Sequence, residues 1–398
     1  MERALKTDRF VAAYHVLYAQ CAWALKKADA ALAAINNALE LDAASTVAMS
    51  LAGTIYRETG ESKKAKEICT RAISLDPNCA TCYRTLAGIS FEESDYSLAI
   101  GYFKRSLEIG GWDEPSAVLL GRAYKMACQD DKARTQFEEV LKKNGSQYEA
   151  YYHLINLHIR AGRIEAARQL VAKLKRDQKT VWHHLAAGEM FEIDGDLDAA
   201  QISYAVALRL MPDIPEAHSG LGRIDLLKND YAGAIVNFGK ALARDPYNPY
   251  LMLDMARAYE GAGEFRSAFE IYQDVSAKYP QVAEAYYRFA QLTGRQKEYM
   301  RAVEIVKQGL THNPKNARLL MGLGHACRMA GRFEEAIDAY QQAVKKDEQQ
   351  NLDAYLYLAN MYSKEMHNEE EAQKYIRKYI KAGGKQDNIQ KQMAILEE

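Results

Sequence analysis

Four prolines, Pro212, Pro246, Pro280 and Pro314, stand 34 residues apart, and this spacing constrains the fold before any single element is considered. An alanine precedes each by twelve residues, at Ala200, Ala234, Ala268 and Ala302. The register runs back through Ala167, Ala133, Ala99, Ala65 and Ala31 and forward to Ala336, every interval being 34 except the 33 between Ala167 and Ala200. A fixed period of this length marks one supersecondary unit stacked many times, so 398 residues measure repeat number rather than core volume. The unit is helical, because the chain is rich in Ala, Leu, Glu, Lys and Arg, holds only 8 prolines and has no alternating β-branched run.

Each recurring residue has a packing reason. Two short helices lie close only where small residues meet, and the eighth repeat position supplies Ala19, Gly53, Ala87, Gly121, Gly188, Gly222, Ala256, Ala290, Gly324 and Ala359, expected to face the second helix's alanine. Large residues such as Leu86, Phe103, Phe137, Phe238 and Tyr340 fill the remaining space. Gly60, Gly162, Gly195, Asn229, Gly263 and Gly331 suit a left-handed turn between the helices. The repeat from Thr46 carries Gly53, Tyr56, Gly60, Ala65, Ala72 and Pro77, and that from Pro249 carries Met255, Ala256, Tyr259, Gly263, Ala268, Tyr272 and Pro280. In residue type and spacing together, the chain resembles the tetratricopeptide repeat (TPR) family over essentially its full length. The resemblance implies an all-α, right-handed superhelical solenoid of about eleven tandem two-helix units, ended by a C-terminal capping helix.

The expected organisation is a partial helix of a preceding repeat, or an N-cap, over 1–11, repeats 1–5 over 12–180, repeats 6–11 over 181–386, and the capping helix over 387–398. The fifth repeat is one residue short, has Ile155 at the small position and Leu174 where alanine is usual, and ends in the polar run Lys173, Lys175, Arg176, Asp177, Gln178, Lys179. This reads either as a joint or as drift. The segment from Arg3 to Asp8 matches Arg71 to Asp76 in register, so the chain begins inside a repeat, either because a longer protein precedes it or because a half-repeat caps it.

Charge and motifs narrow the function. With 52 basic and 53 acidic residues the net charge of -1 gives no field toward nucleic acid or an anionic membrane, and no apolar run is long enough to span a bilayer. Six scattered cysteines tilt the setting toward a reducing, cytoplasmic compartment; a periplasmic one stays open should a leader precede Met1. Cys79 and Cys82 form a lone C-x-x-C with Cys69 one helix earlier, read as packing at a repeat junction rather than as a zinc or redox site. His183 and His184 are adjacent and expected on different faces. Without a phosphate loop, H-E-x-x-H or G-x-S-x-G, no enzyme activity, cofactor or metal is expected.

In arrays of the resembled family, certain first-helix positions look into a concave groove. Here they hold aromatic rings at Trp23, Phe91, Tyr152, Trp182, Tyr250 and Tyr287, cations at Arg84, Arg122, Lys125, Arg160, Arg223, Arg257, Arg295 and Arg328, and Asn156. Trp, Tyr and Arg dominate interface energetics. The expectation is a protein-interaction scaffold or adaptor taking an acidic polypeptide segment. The alternatives are that these side chains pair with Glu149, Glu189, Glu192, Glu216, Glu260 and Glu284, or that the chain recruits partners for a larger enzyme or export assembly. Self-association through terminal repeats also stays open.

Overall fold

The computed structural model describes residues 12–174, 180–348, 351–385 and 389. Their regular structure is entirely helical, as eleven antiparallel pairs. The first helices are α1 (Ala12–Ala24), α3 (Thr46–Glu58), α5 (Ala80–Glu92), α7 (Glu114–Met126), α9 (Tyr148–Arg160), α11 (Val181–Asp194), α13 (Pro215–Leu227), α15 (Pro249–Gly261), α17 (Ala283–Arg295), α19 (Ala317–Met329) and α21 (Asp353–Lys364). Each is followed by its second helix: α2 (Ala28–Leu41), α4 (Ser62–Leu75), α6 (Tyr96–Gly110), α8 (Asp130–Lys143), α10 (Ile164–Leu174), α12 (Leu197–Leu210), α14 (Tyr231–Arg244), α16 (Phe265–Lys278), α18 (Tyr299–His312), α20 (Phe333–Lys346) and α22 (Glu369–Lys381). The expected N-terminal partial helix over 1–11, the C-terminal cap over 387–398 apart from Ile389, and the polar run from Lys175 to Lys179 lie outside the described residues.

The chain forms two compact units, one of Met1–Gly220 with Asp245–Asn248, the other of Leu221–Arg244 with Pro249–Glu398. Within the first unit the first helices lie side by side, α1 on α3, α3 on α5 and α9 on α11; within the second, α17 lies on α19. Neighbouring first helices therefore share one face in each unit, and the second helices pack behind them.

All ten register alanines are buried. The small eighth-position residue does a different job from the expected one. A Cβ on Gly121 would come within 2.6 Å of the Phe137 ring, and one on Gly324 within 2.4 Å of the Tyr340 ring. The glycine thus makes room for the ring one turn beyond the alanine. The alanine clears the crossing, while the ring is the bulk that fills it.

The turns follow a stricter rule than glycine usage reveals. Lys26, Gly60, Ser94, Cys128, Gly162, Gly195, Asn229, Gly263, Lys297, Gly331 and His367 occupy the same place between the two helices of successive pairs, and all have positive φ, from 50° to 83°. Geometry demands the left-handed conformation in every repeat, and five residues that are neither glycine nor asparagine adopt it against their intrinsic preference. Second helices then start on capping carboxylates where the sequence offers them, as when Asp95 accepts from Leu98 N at 3.0 Å and Asp196 from Ala199 N at 3.0 Å.

Candidate functional site: the first-helix face

In the first unit, one stretch of this face gathers most of the predicted residues. Tyr152 and Asn156 on α9 stand a turn apart, so both reach Glu189 on α11: the Tyr152 hydroxyl donates to Glu189 Oε1 at 2.9 Å, and Asn156 Nδ2 donates to the same oxygen at 3.2 Å. Trp182, at the start of α11, lies against Tyr152 with ring centroids 5.5 Å apart. On α7, the Arg122 guanidinium sits 5.4 Å from the Phe91 ring centroid and 3.4 Å from Glu149. Arg160 lies 3.4 Å from Asp130 and Arg84 lies 3.6 Å from Asp113.

Lys125 differs from its neighbours. Among the described residues no carboxylate comes within ion-pair distance of its ammonium. Burial, with Arg160 and Arg122 close by, pulls its pKa down to about 8, although Glu189 and Glu216 partly offset this. Glu216 is in turn pushed upward, chiefly by burial. Beside this cluster, His153 is 4% exposed and stacks on Phe137 at 5.3 Å. Its Nε2 lies 3.6 Å from Glu149 Oε1, and burial, aided by Lys125 and Arg122 and opposed by Glu149, drives its pKa down to about 3. The region therefore holds a half-buried cation that no carboxylate pairs among the described residues, beside a buried imidazole that faces Glu149, framed by Phe91, Tyr152 and Trp182.

Trp23, by contrast, packs into the core formed by α1, α2 and α3. In the second unit, Arg257 pairs with Asp254 at 3.0 Å and Arg295 pairs with Glu260, which also accepts from Tyr272 at 3.1 Å. Tyr287 lies under the Arg318 guanidinium at 4.5 Å, while Arg318 reaches Glu284 at 2.5 Å. Tyr287 and Arg295 line a cavity of about 670 Å³ with Gln291, Lys297, Tyr299, Gly322, His325, Met329 and Tyr357, a lining without a carboxylate. His325 Nδ1 and the Tyr340 hydroxyl are 2.9 Å apart, and burial lowers the His325 pKa to about 4. Arg328 Nε is buried without a hydrogen-bond partner among the described residues. Arg223 and Tyr250 stand on α13 and α15, half-buried and engaged within the fold.

The pairing expected as the alternative is present at Glu149 with Arg122, Glu189 with Tyr152 and Asn156, and Glu260 with Arg295. Glu189, His153 and Glu216 organise the first cluster, while His325 and Tyr357 build the cavity. His183 and His184, expected on different faces, bring their rings to 5.3 Å edge to face. Among the described residues no group of three or more His, Cys, Asp or Glu side chains is arranged to hold a metal ion, and no helix is long and apolar enough to cross a membrane.

Among the described residues, eleven two-helix pairs with register alanines, left-handed turns and neighbouring first helices side by side within each unit define a helical repeat protein, a class typical of protein-interaction adaptors. Models of the tetratricopeptide repeat match residues 48–79, 131–187, 185–249, 225–292, 287–351 and 330–386, and the chain belongs to that family. Superkiller protein 3 of Schizosaccharomyces pombe is 25% identical over 211 residues, 49% of this chain and 15% of its own length. Cellulose synthase operon protein C of Xanthomonas axonopodis pv. citri is 23% identical over 242 residues, 56% of this chain and 16% of its own. The chain thus spans about a sixth of the length of these two relatives. Among solved structures, the APC/C hetero-tetramer Cut9-Hcn1 is similar in fold, with a TM-score of 0.54 and 13% identity over 96% of this chain and 95% of that one.

Proposed function

We propose that this chain is a non-catalytic scaffold that binds an acidic polypeptide segment on its first-helix face, with the cluster around Lys125 as anchor. The observation that carries this reading is Lys125, an ammonium between Arg122 and Arg160 with no carboxylate at ion-pair distance among the described residues. A guest carboxylate would supply that anion. Phe91 and Trp182, both partly exposed, offer flat area for its side chains. Most neighbouring arginines already hold acids within the chain, so they position the surface and steer approach more than they grip.

The test uses a fluorescein-labelled peptide rich in Asp and Glu with interspersed Phe, read by anisotropy at low and moderate salt. Lys125→Met keeps the side-chain stem and removes the charge, and should weaken binding about tenfold, in line with a desolvated charge contact. Exchanging Arg122, Arg223 and Arg257 together for Glu should abolish most of the salt dependence. Unchanged binding by both variants, with helical circular dichroism intact, would refute the reading. A second reading, that the chain is the recruiting array of a larger assembly, draws support from the short share it spans of Superkiller protein 3 and Cellulose synthase operon protein C. A longer native reading frame would favour it.

A further inference from the structure

Three thiols converge where the second repeat meets the third. The turn after α4 is held by Asp76, whose Oδ1 accepts from Asn78 N at 2.9 Å and whose carbonyl accepts from Cys79 N at 3.1 Å. This places Cys79 at the N-cap of α5, half-exposed, with Cys82 three residues on, inside the first turn and buried. Cys82 packs in one cluster with Cys69, buried on α4, and with the partly buried Cys79. All three are free. Packing alone would be served by three small apolar residues, and it does not call for an exposed thiol at the cap.

We propose that Cys79 and Cys82 form a thiol–disulfide exchange site, with Cys79 as entry thiol, Cys82 as resolving thiol and a low-molecular-weight disulfide such as oxidised glutathione as oxidant. An N-cap residue receives the free N–H groups of the first turn and the positive end of the helix dipole, which stabilise a thiolate there. Chiefly through the neighbouring Cys82, and against the effect of burial, the Cys79 pKa is pulled down to about 7. The Cys82 thiol is pushed upward instead, first by its hydrogen bond with Cys69 and then by that with Cys79. One thiol is thus reactive at neutral pH while the other is held in reserve.

The exchange balances in two steps. The Cys79 thiolate attacks one sulfur of the small disulfide, forming a mixed disulfide and releasing one small thiolate. With Cys79 capped, its share of the hold on the Cys82 proton is gone, leaving that of Cys69; Cys82 gives the proton to the released thiolate and attacks the Cys79 sulfur, expelling the second small thiolate. Two protein thiols are oxidised to one disulfide, and one small disulfide is reduced to two thiols. Residues three apart on a helix have Cβ atoms about 5–6 Å apart, so closing the bond requires a modest tightening of the first turn toward the usual disulfide span of about 3.5–4.5 Å.

The experiment treats the full chain with glutathione redox buffers, alkylates the remaining thiols and maps tryptic peptides. Residues 72–84 form one tryptic peptide holding Cys79 and Cys82, while Cys69 falls on its neighbour, so the expected bond appears as a peptide two hydrogens lighter and resistant to alkylation. In Cys82→Ser the glutathione adduct on Cys79 should persist; in Cys79→Ser residue 82 should stay reduced. Alkylation of Cys79 should titrate with a midpoint near 7. The proposal is overturned if both thiols stay reduced in buffers that oxidise free dithiols, if the bond formed joins Cys69, or if Cys79 in Cys82→Ser, shown folded by circular dichroism, reacts no faster than Cys21 on the exposed surface of α1.

Discussion

One substitution, Gly to Ala, should have opposite effects at two helical positions only twenty residues apart. Gly101 lies in α6 with nothing within 4 Å of where a Cβ would stand. Gly121 lies in α7, where the same atom would meet three ring carbons of Phe137 at 2.6 to 3.0 Å. That ring is 0% exposed, stacked on His153 and packed within a cluster that includes Ala117, Val140 and Leu154, so it has nowhere to move. Both replacements gain about 1 kcal/mol of helix propensity. Only Gly121→Ala incurs an overpacking cost, about 1–3 kcal/mol. Gly101→Ala should therefore stabilise by about 1 kcal/mol and Gly121→Ala should be neutral to destabilising by about 2, and the difference between them isolates the clash. Urea unfolding followed by circular dichroism reads both. Equal shifts, or a stabilised Gly121→Ala, would refute the claim that the eighth position exists to admit the ring.

Lys26 is exposed and holds φ 57°, so Lys26→Gly should raise the thermal midpoint, relief of about 1–2 kcal/mol of strain exceeding the roughly 0.5–1 kcal/mol entropic cost of glycine. His153 remains neutral down to about pH 3, whereas an unfolded imidazole protonates near 6.5; in that window the unfolded state binds the extra proton, so stability falls on acidification. Between pH 7 and 5 the loss from this residue should be about 2 kcal/mol, and His153→Phe should flatten the pH profile of urea midpoints over that range. For Lys125 the sign concerns binding: its ammonium loses its proton near pH 8, so affinity for an acidic peptide should fall between pH 7 and 9, and binding near pH 8 should take up protons, measurable by calorimetry in buffers of different ionisation enthalpy.

The repeat itself was legible because its marks are steric and local. Ala99, Ala133 and Ala234 must be small wherever two helices cross, and Pro212 or Pro280 must follow a helix end, whatever the partner. The eleven turns were half legible: glycine announced Gly60 and Gly263, but Lys26, Ser94, Cys128, Lys297 and His367 adopt the same backbone without an announcing residue type, because tertiary closure of the pair overrides local preference. The acids that pair along the first helices, among them Glu149, Glu189 and Glu260, were legible as a set of positions, yet which side chain each would take was not. Whether an arginine is satisfied depends on which acid arrives from the adjacent repeat, as Asp113 does for Arg84 and Asp130 for Arg160 while none reaches Lys125 among the described residues. The placement of Cys79 at a helix start over a buried Cys82 was hidden for the same reason, since spacing alone does not give it.

The central claim is that guests are held on the first-helix face, and site-specific photocrosslinking tests it most directly. A photoreactive phenylalanine is placed at Trp182 on that face or at Ile202, 64% exposed on second helix α12, and irradiated with the acidic, Phe-containing peptide. The account predicts peptide adducts at position 182, lost on Lys125→Met, and none at 202. Adducts at 202 with none at 182 would contradict it.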